Sequence, residues 1–320
     1  MGLLEKQDKI EMYRQMLLIR KFEEKAGEMY TQGKVGGFLH LYIGQEAVAV
    51  GFISALRPDD YVIGAYREHG QALARGVDPK RVMAELFGKS TGVSRGKGGS
   101  MHMFDVERNF LGGHGIVGGG MPLAAGMGFA INYRETDQVV MCFFGDGAVN
   151  EGAFHEALNL VSLWNLPVIY VCENNLYGMG TAVYRASSFP EIFRRAQCYD
   201  LDTESVDGMD VLACRDAADR AIRRARKEKS PRFIEAITYR FRGHSVADPG
   251  TYRTKEEIGE WRKKDPIEQF RGQLEADGTL TAEDIQRIEE ELDRVIQEAV
   301  EFADSSEELP VEGLYEDVYA

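Results

Sequence analysis

Two continuous apolar runs, one helix apart, constrain this chain more than any other feature. Val139-Val140-Met141-Cys142-Phe143-Phe144 and Pro167-Val168-Ile169-Tyr170-Val171-Cys172 show no alternation with polar residues, so each is expected to be a strand covered on both faces. The stretch from Glu151 to Trp164 between them has helical spacing. Together they form a β-α-β unit. Its right-handed crossover makes the strands parallel and brings their carboxyl ends to one edge. The predicted fold class is α/β, a mainly parallel sheet with helices on both faces.

The remaining segments attach to that unit. Ile10, Tyr13, Met16, Leu17, Ile19, Phe22, Ala26 and Tyr30 recur at helical spacing and predict an N-terminal helix over 5–32, stopped by Gly33, Gly36 and Gly37. Gly92 to Gly120 is dense in glycine and lacks apolar periodicity, as expected of a loop approaching a cofactor or of a lid. Thr281 opens a late helix with Ile285, Ile288, Leu292, Ile296 and Val300 on one face, after a polar stretch from Glu256 to Gln273. This organisation predicts an α/β module over 1–270 and a C-terminal helical extension over 271–320.

The unit also defines a candidate site. Gly145-Asp146-Gly147 follows the first strand and Glu173-Asn174-Asn175 the second, so the two turns must be neighbours. Glycines let backbone approach a phosphate, the helix start after Asn150 favours an anion, and a carboxylate with an amide oxygen offers hard ligands to magnesium. A magnesium-bound diphosphate fits that donor set.

GDG and NN, with residues 148–173 between them, resemble the thiamin diphosphate motif. Tyr66-Arg67-Glu68-His69-Gly70, Gly96-Lys97-Gly98-Gly99-Ser100-Met101-His102, Gly115-Ile116-Val117-Gly118, Glu173 to Gly180 and Arg242-Gly243-His244-Ser245 extend the resemblance from about Leu17 to Pro266. These blocks resemble, in order, the alpha subunits of the thiamin-diphosphate-dependent 2-oxo acid dehydrogenases, and most closely the pyruvate-decarboxylating branch.

The resemblance implies the thiamin-diphosphate-binding fold, with thiamin diphosphate and Mg2+ as cofactors. It implies Asp146, the Asn175 side chain and the Tyr177 carbonyl as metal ligands. The amides of Gly147 and Ala148, with Tyr66, Arg67 and His244, would hold the diphosphate. Gly115 and Val117 would hold the aminopyrimidine, and His40 and His244 would be the catalytic histidines, His40 facing the small-molecule 2-oxo acid. The implied reaction is oxidative decarboxylation with transfer of an acyl group to the lipoyl group of a separate dihydrolipoyl acyltransferase. In the family, an acid that activates the cofactor's pyrimidine ring comes from a second module, which this chain does not match. A beta subunit and an alpha2beta2 heterotetramer are therefore implied. Ser245 matches a serine phosphorylated in regulated mitochondrial relatives.

Other readings compete with these. Tyr239 to Ser245 resembles an acetoin-cleaving branch as well, whereas Asp248 to Arg253 resembles the pyruvate branch, and a branched-chain oxo acid enzyme ranks third. Gly113 to Gly118 satisfies the dinucleotide fingerprint, which would make the chain an NAD-binding or non-catalytic module, but no strand-like run precedes it. With 38 basic against 52 acidic residues, the net charge of -14 repels phosphate backbones, so nucleic acid is not expected as a partner. No apolar run approaches the roughly 18 residues of a membrane span, and the start Met1-Gly2-Leu3-Leu4-Glu5 turns acidic too soon for a secretory signal. A cytoplasmic location follows as the expectation. The four cysteines are expected to be reduced, buried small hydrophobes. His102 and His155 are expected to be bland, His69 and His114 intermediate, and the cluster Arg223, Arg224, Arg226 and Lys227 a solvated helix face.

Overall fold

The computed structural model describes residues 4–316 and residue 318. Met1-Gly2-Leu3, within the start expected to be no secretory signal, and residues 317, 319 and 320 of the expected C-terminal extension lie outside them. The helices are α1 (Lys6–Thr31), α2 (Glu46–Ile53), α3 (His69–Ala74), α4 (Pro79–Leu86), α5 (Gly120–Tyr133), α6 (Gly152–Leu163), α7 (Val183–Ala186), α8 (Ile192–Ala196), α9 (Val211–Glu228), α10 (Lys255–Arg262), α11 (Pro266–Ala276) and α12 (Ala282–Ser305). The strands are β1 (Tyr61–Ile63), β2 (Val140–Gly145), β3 (Val168–Asn174), β4 (Tyr177–Gly178), β5 (Thr181–Ala182), β6 (Asp202–Asp207) and β7 (Arg232–Ile237).

Five strands make one parallel sheet in the order β1-β2-β3-β7-β6, and β4 pairs with β5 in a small antiparallel hairpin. The sequence expectation of an α/β fold with a parallel sheet covered on both faces holds. The two apolar runs are apolar throughout because successive side chains enter different cores. Met141, Phe143, Ile169 and Val171 join α1, α2 and α9 on one side, while Val140, Cys142, Phe144, Val168, Tyr170 and Cys172 join α5 and α6 on the other.

The first core is drawn tight where α2 crosses α9. A Cβ at Gly51 would lie 2.4 Å from Cys214 Cβ and 2.8 Å from the Val211 carbonyl, so only glycine admits that approach. Helix α1 starts at a capping box between Glu5 and Asp8, and α12 at one between Thr281 and Asp284. The apolar face of α12 packs against α4 and α1, and Ile285, Ile288, Leu292 and Ile296 belong to the same core as Met12, Met16 and Phe22. The polar stretch after Thr254 is two short helices, α10 and α11, each begun by a side-chain cap, from Thr254 and Asp265.

Two expectations fail. Cys142, Cys172 and Cys214 are buried, but Cys198 is exposed, because it sits in the turn between α8 and β6, outside any apolar run. Arg226 is not simply solvated: it donates to buried Asp60 at 2.8 Å and to the Asp137 carbonyl, tying the end of α9 to the start of β1 and the approach to β2. Among the described residues no helix is long and apolar enough to cross a membrane.

Candidate active site

The carboxyl ends of β2 and β3 lie side by side, with Gly145 in register with Glu173, so the two turns inferred from the crossover do meet. After Gly145 the chain tightens into a 3-10 turn over Asp146–Asn150 before α6. The β4–β5 hairpin folds back over it, and a Cβ at Gly178 would lie 3.3 Å from Gly147 Cα. The two asparagines then diverge. Asn174 turns away and donates to Glu235 at 2.6 Å, whereas Asn175 faces inward and donates to Gln45 at 3.0 Å.

A cavity of about 550 Å³ opens over these turns. His40, Tyr66, Arg67, Gly115, Val117, Asp146, Gly147, Ala148, Asn175, Tyr177 and His244, drawn from six separate stretches of chain, all line it. The rings of His40, Tyr66 and His244 cluster, with centroids 4.8 Å apart for His40–Tyr66 and 5.1 Å for His40–His244. Burial, reinforced by the nearby Arg67 charge, lowers both imidazoles to about 3, so both are neutral at physiological pH. A neutral imidazole carries one donor and one acceptor nitrogen.

Burial pushes the Asp146 carboxyl up to about 6, against the favourable charge of Arg240. Burial likewise raises Glu173 to about 7, although Tyr42 and Gln71 both donate to it. Arg67 uses two donors on the carbonyls of Leu41 and His244, at 2.6 and 2.7 Å, so less of its fork is open to a ligand than its motif suggests.

Sequence reasoning missed Arg240. One of its nitrogens donates to Asn175 Oδ1 at 2.9 Å and to the Tyr177 carbonyl at 2.8 Å, and another to the Met179 carbonyl at 3.1 Å. The available signal was its place four residues before His244 on the strand-exit side of β7. His102, expected to be bland, accepts from the Gly115 amide at 3.3 Å and so supports the cavity wall. His69 is buried between Glu23 and Ser100, and His155 pairs with Tyr199 and packs against the Phe154 ring, away from the cavity wall. The dinucleotide-like Gly113–Gly118 segment does lead into α5, but among the described residues it follows only isolated bridges from Phe110 to Val62 and Asp105, and no strand.

The wall fits a polar, anionic group with a cation. Among the described residues the Nδ1 atoms of His40 and His244 and the Nε2 of Gln45 are buried without a hydrogen-bond partner. Such atoms are costly unless something completes them. Asp146, Asn175 Oδ1 and the Tyr177 carbonyl offer oxygen donors suited to a hard divalent ion, and an amide or peptide oxygen can accept from Arg240 and still coordinate, having two lone pairs.

Fold and site together define an α/β protein with a cavity suited to a diphosphate-bearing cofactor at the carboxyl edge of a parallel sheet. Residues 14–312 match the family model of the dehydrogenase E1 component. The chain is 48% identical, over 98% of its length and 90% of the relative's, to the "Pyruvate dehydrogenase E1 component subunit alpha" of Rhizobium meliloti (strain 1021). It is 46% identical to the protein of that name from Zymomonas mobilis, covering 98% and 89% of the two chains, and 42% identical to that from Rickettsia felis, covering 98% and 96%. The chain belongs to the dehydrogenase E1 component family, the thiamin-diphosphate-dependent 2-oxo acid dehydrogenases.

Proposed function

We propose that the chain is the alpha subunit of a pyruvate dehydrogenase E1 component, acting in the cytoplasm with a beta subunit as an alpha2beta2 heterotetramer and delivering acetyl groups to a lipoyl-bearing acyltransferase. The observation that carries this reading is the convergence of eleven residues from six separate stretches on one cavity wall, in a chain so similar to alpha subunits of that name.

Thiamin diphosphate bound there supplies the electron sink that decarboxylation of a 2-oxo acid requires. The residues of this chain bind, orient and exclude water. Asp146, Asn175 and the Tyr177 carbonyl hold Mg2+ in this reading, and the divalent charge offsets the cost of keeping Asp146 ionised in a buried turn. The Gly147 and Ala148 amides, Tyr66, Arg67 and His244 would hold the diphosphate, and Gly115 and Val117 would hold the aminopyrimidine. His40 and His244 serve as hydrogen-bonding groups held neutral, so they can accept or donate near the oxo acid without adding positive charge.

The test is to purify the alpha and beta chains together and assay pyruvate, acetoin and 2-oxoisovalerate with a dye acceptor, then denature the complex and identify what it releases. Preference for pyruvate and release of thiamin diphosphate are expected. Preference for either other substrate, or release of a nicotinamide cofactor, overturns the reading.

A further inference from the structure

The glycine-rich segment before the cavity wall is wrapped around one side chain of α4. Glu85 is fully buried, and its Oε2 accepts from the amides of Ser94 and Gly96, both at 2.8 Å. Its Oε1 accepts from the amides of Gly98 and Gly99 at 2.7 and 3.0 Å. A carboxyl group has about four acceptor positions, so backbone fills this one. The glycines are what permit the wrapping. A Cβ at Gly92 would lie 2.3 Å from Glu85 Oε2, and one at Gly98 would lie 2.0 Å from the His102 carbonyl.

From Gly99 the chain runs directly along the cavity. The Ser100 hydroxyl lies 3.0 Å from His69 Nε2 and 3.5 Å from the His40 amide that donates to it, and both carboxylate oxygens of Glu23 hold the other side of His69 at 3.0 Å. Met101 lines the cavity, and His102 supports Gly115. Residues 100–102 therefore reach the cavity at His40, through Met101 itself and at Gly115. Outside, the C-terminal segment binds the same stretch: Ser90 donates to the Glu307 carbonyl from its amide at 2.9 Å and from its hydroxyl at 3.0 Å, and Lys97 donates to the Glu316 carbonyl at 2.8 Å.

We propose that Glu85 is a positioning residue for this active site: it does not line the cavity, but it sets the backbone of 94–99 and thereby the placement of His40, Met101 and Gly115. The backbone can hold that path only while all four amides have their acceptor. Gln at 85 would turn a donor toward two amides that need an acceptor, and Asp would be too short to reach both pairs. The turnover consequence rests on the function proposed above; the effect on the loop does not.

The experiment compares wild type, Glu85→Gln and Glu85→Asp, each assembled with the beta chain, by amide hydrogen exchange and by steady-state kinetics. Exchange over 92–102 should rise while exchange in β2 and β3 stays protected. KM for the oxo acid should rise about tenfold in Glu85→Gln while kcat changes by less than about threefold, with Glu85→Asp intermediate. Unchanged exchange over 92–102 overturns the proposal, as does a loss of protection throughout the sheet in both variants, which would make Glu85 a general stability residue. A wild-type complex inactive on 2-oxo acids would refute the functional reading alone, since the exchange comparison would still stand.

Discussion

Replacing Glu68 by Gln should reverse the order of stability between variant and wild type across the acid-to-alkaline range. Glu68 is completely buried, its Oε1 accepts from the Met103 amide at 3.0 Å, and its Oε2 has no partner. The Gly113 backbone presses on it so closely that a Cβ there would lie 1.9 Å from its Cδ. Burial pushes this carboxyl from 4.5 to about 8. The native state therefore keeps its proton over a range in which the unfolded chain has lost it. Stability from this group is fully present below pH 4.5, falls as pH rises, and is gone above about 8. Such a displacement corresponds to about 5 kcal/mol between those limits. Gln cannot lose a proton but places an unpaired amide in the pocket, at a cost of about 1–3 kcal/mol. Glu68→Gln should thus be the less stable protein near pH 5 and the more stable one by about 1–3 kcal/mol near pH 8. Urea or thermal unfolding of the assembled enzyme at several pH values measures the difference. Parallel pH profiles for the two proteins would show that Glu68 titrates normally and would refute the reasoning.

Two further outcomes concern the cavity itself. Asp146→Ala should leave the circular dichroism of the fold intact and abolish metal-dependent binding, because it removes the one charged group of the proposed ligand set while Ala148 and Val149, which anchor the turn in the second core, are unchanged; calorimetric titration with Mg2+ and thiamin diphosphate checks it, and near-wild-type affinity would exclude Asp146 as a ligand. Ser245→Glu should weaken cofactor binding and raise protease sensitivity over 240–253, since Ser245 lines the cavity and the added charge would face the bound phosphates; full activity with unchanged proteolysis would defeat it.

The elements legible in the sequence are those whose burial is uniform or periodic. β2 and β3 are covered on both faces and so are apolar at every position, while α1 and α12 carry one apolar stripe. β1 is apolar but only three residues long, too short to stand out as a strand, and β6, at the sheet edge, has the sequence DTESVD with no buried residue and so leaves no apolar trace. In the site, residues inside contiguous motifs were found because the motif fixes their neighbours. Arg240 and Glu85 were not, since each acts on backbone groups, and the carbonyl of Tyr177 or the amide of Gly98 has no side-chain letter to announce it. The buried carboxyls Glu68 and Glu173 were likewise hidden, because nothing in a sequence separates a protonated buried Glu from a solvated one.

The last outcome follows from what the surface leaves open. The described residues form one five-stranded sheet and a two-stranded hairpin, with no second sheet domain to supply the pyrimidine-activating acid that the family takes from another module. Beside the cavity, Ile116 and Val117 are exposed at 78% and 41%, and the segment they belong to runs into α5. Along α5 and the end of α6, Leu123, Phe129, Tyr133, Leu163 and Trp164 are also exposed, with the Phe129 ring 5.6 Å from Trp164 and stacked on Tyr133. An apolar face continuous with a functional cleft is expected to be covered in the working protein. Purified alone, the chain should self-associate and show no decarboxylation of pyruvate with a dye acceptor, and adding the beta chain should restore turnover. Phe129→Glu, which places a charge in the middle of that face without touching either core, should weaken assembly in sedimentation while leaving the fold intact. Sustained turnover by rigorously beta-free chain would refute the requirement, because the activating acid would then have to lie within these 320 residues. Undiminished assembly of Phe129→Glu would instead move the partner's footprint away from α5.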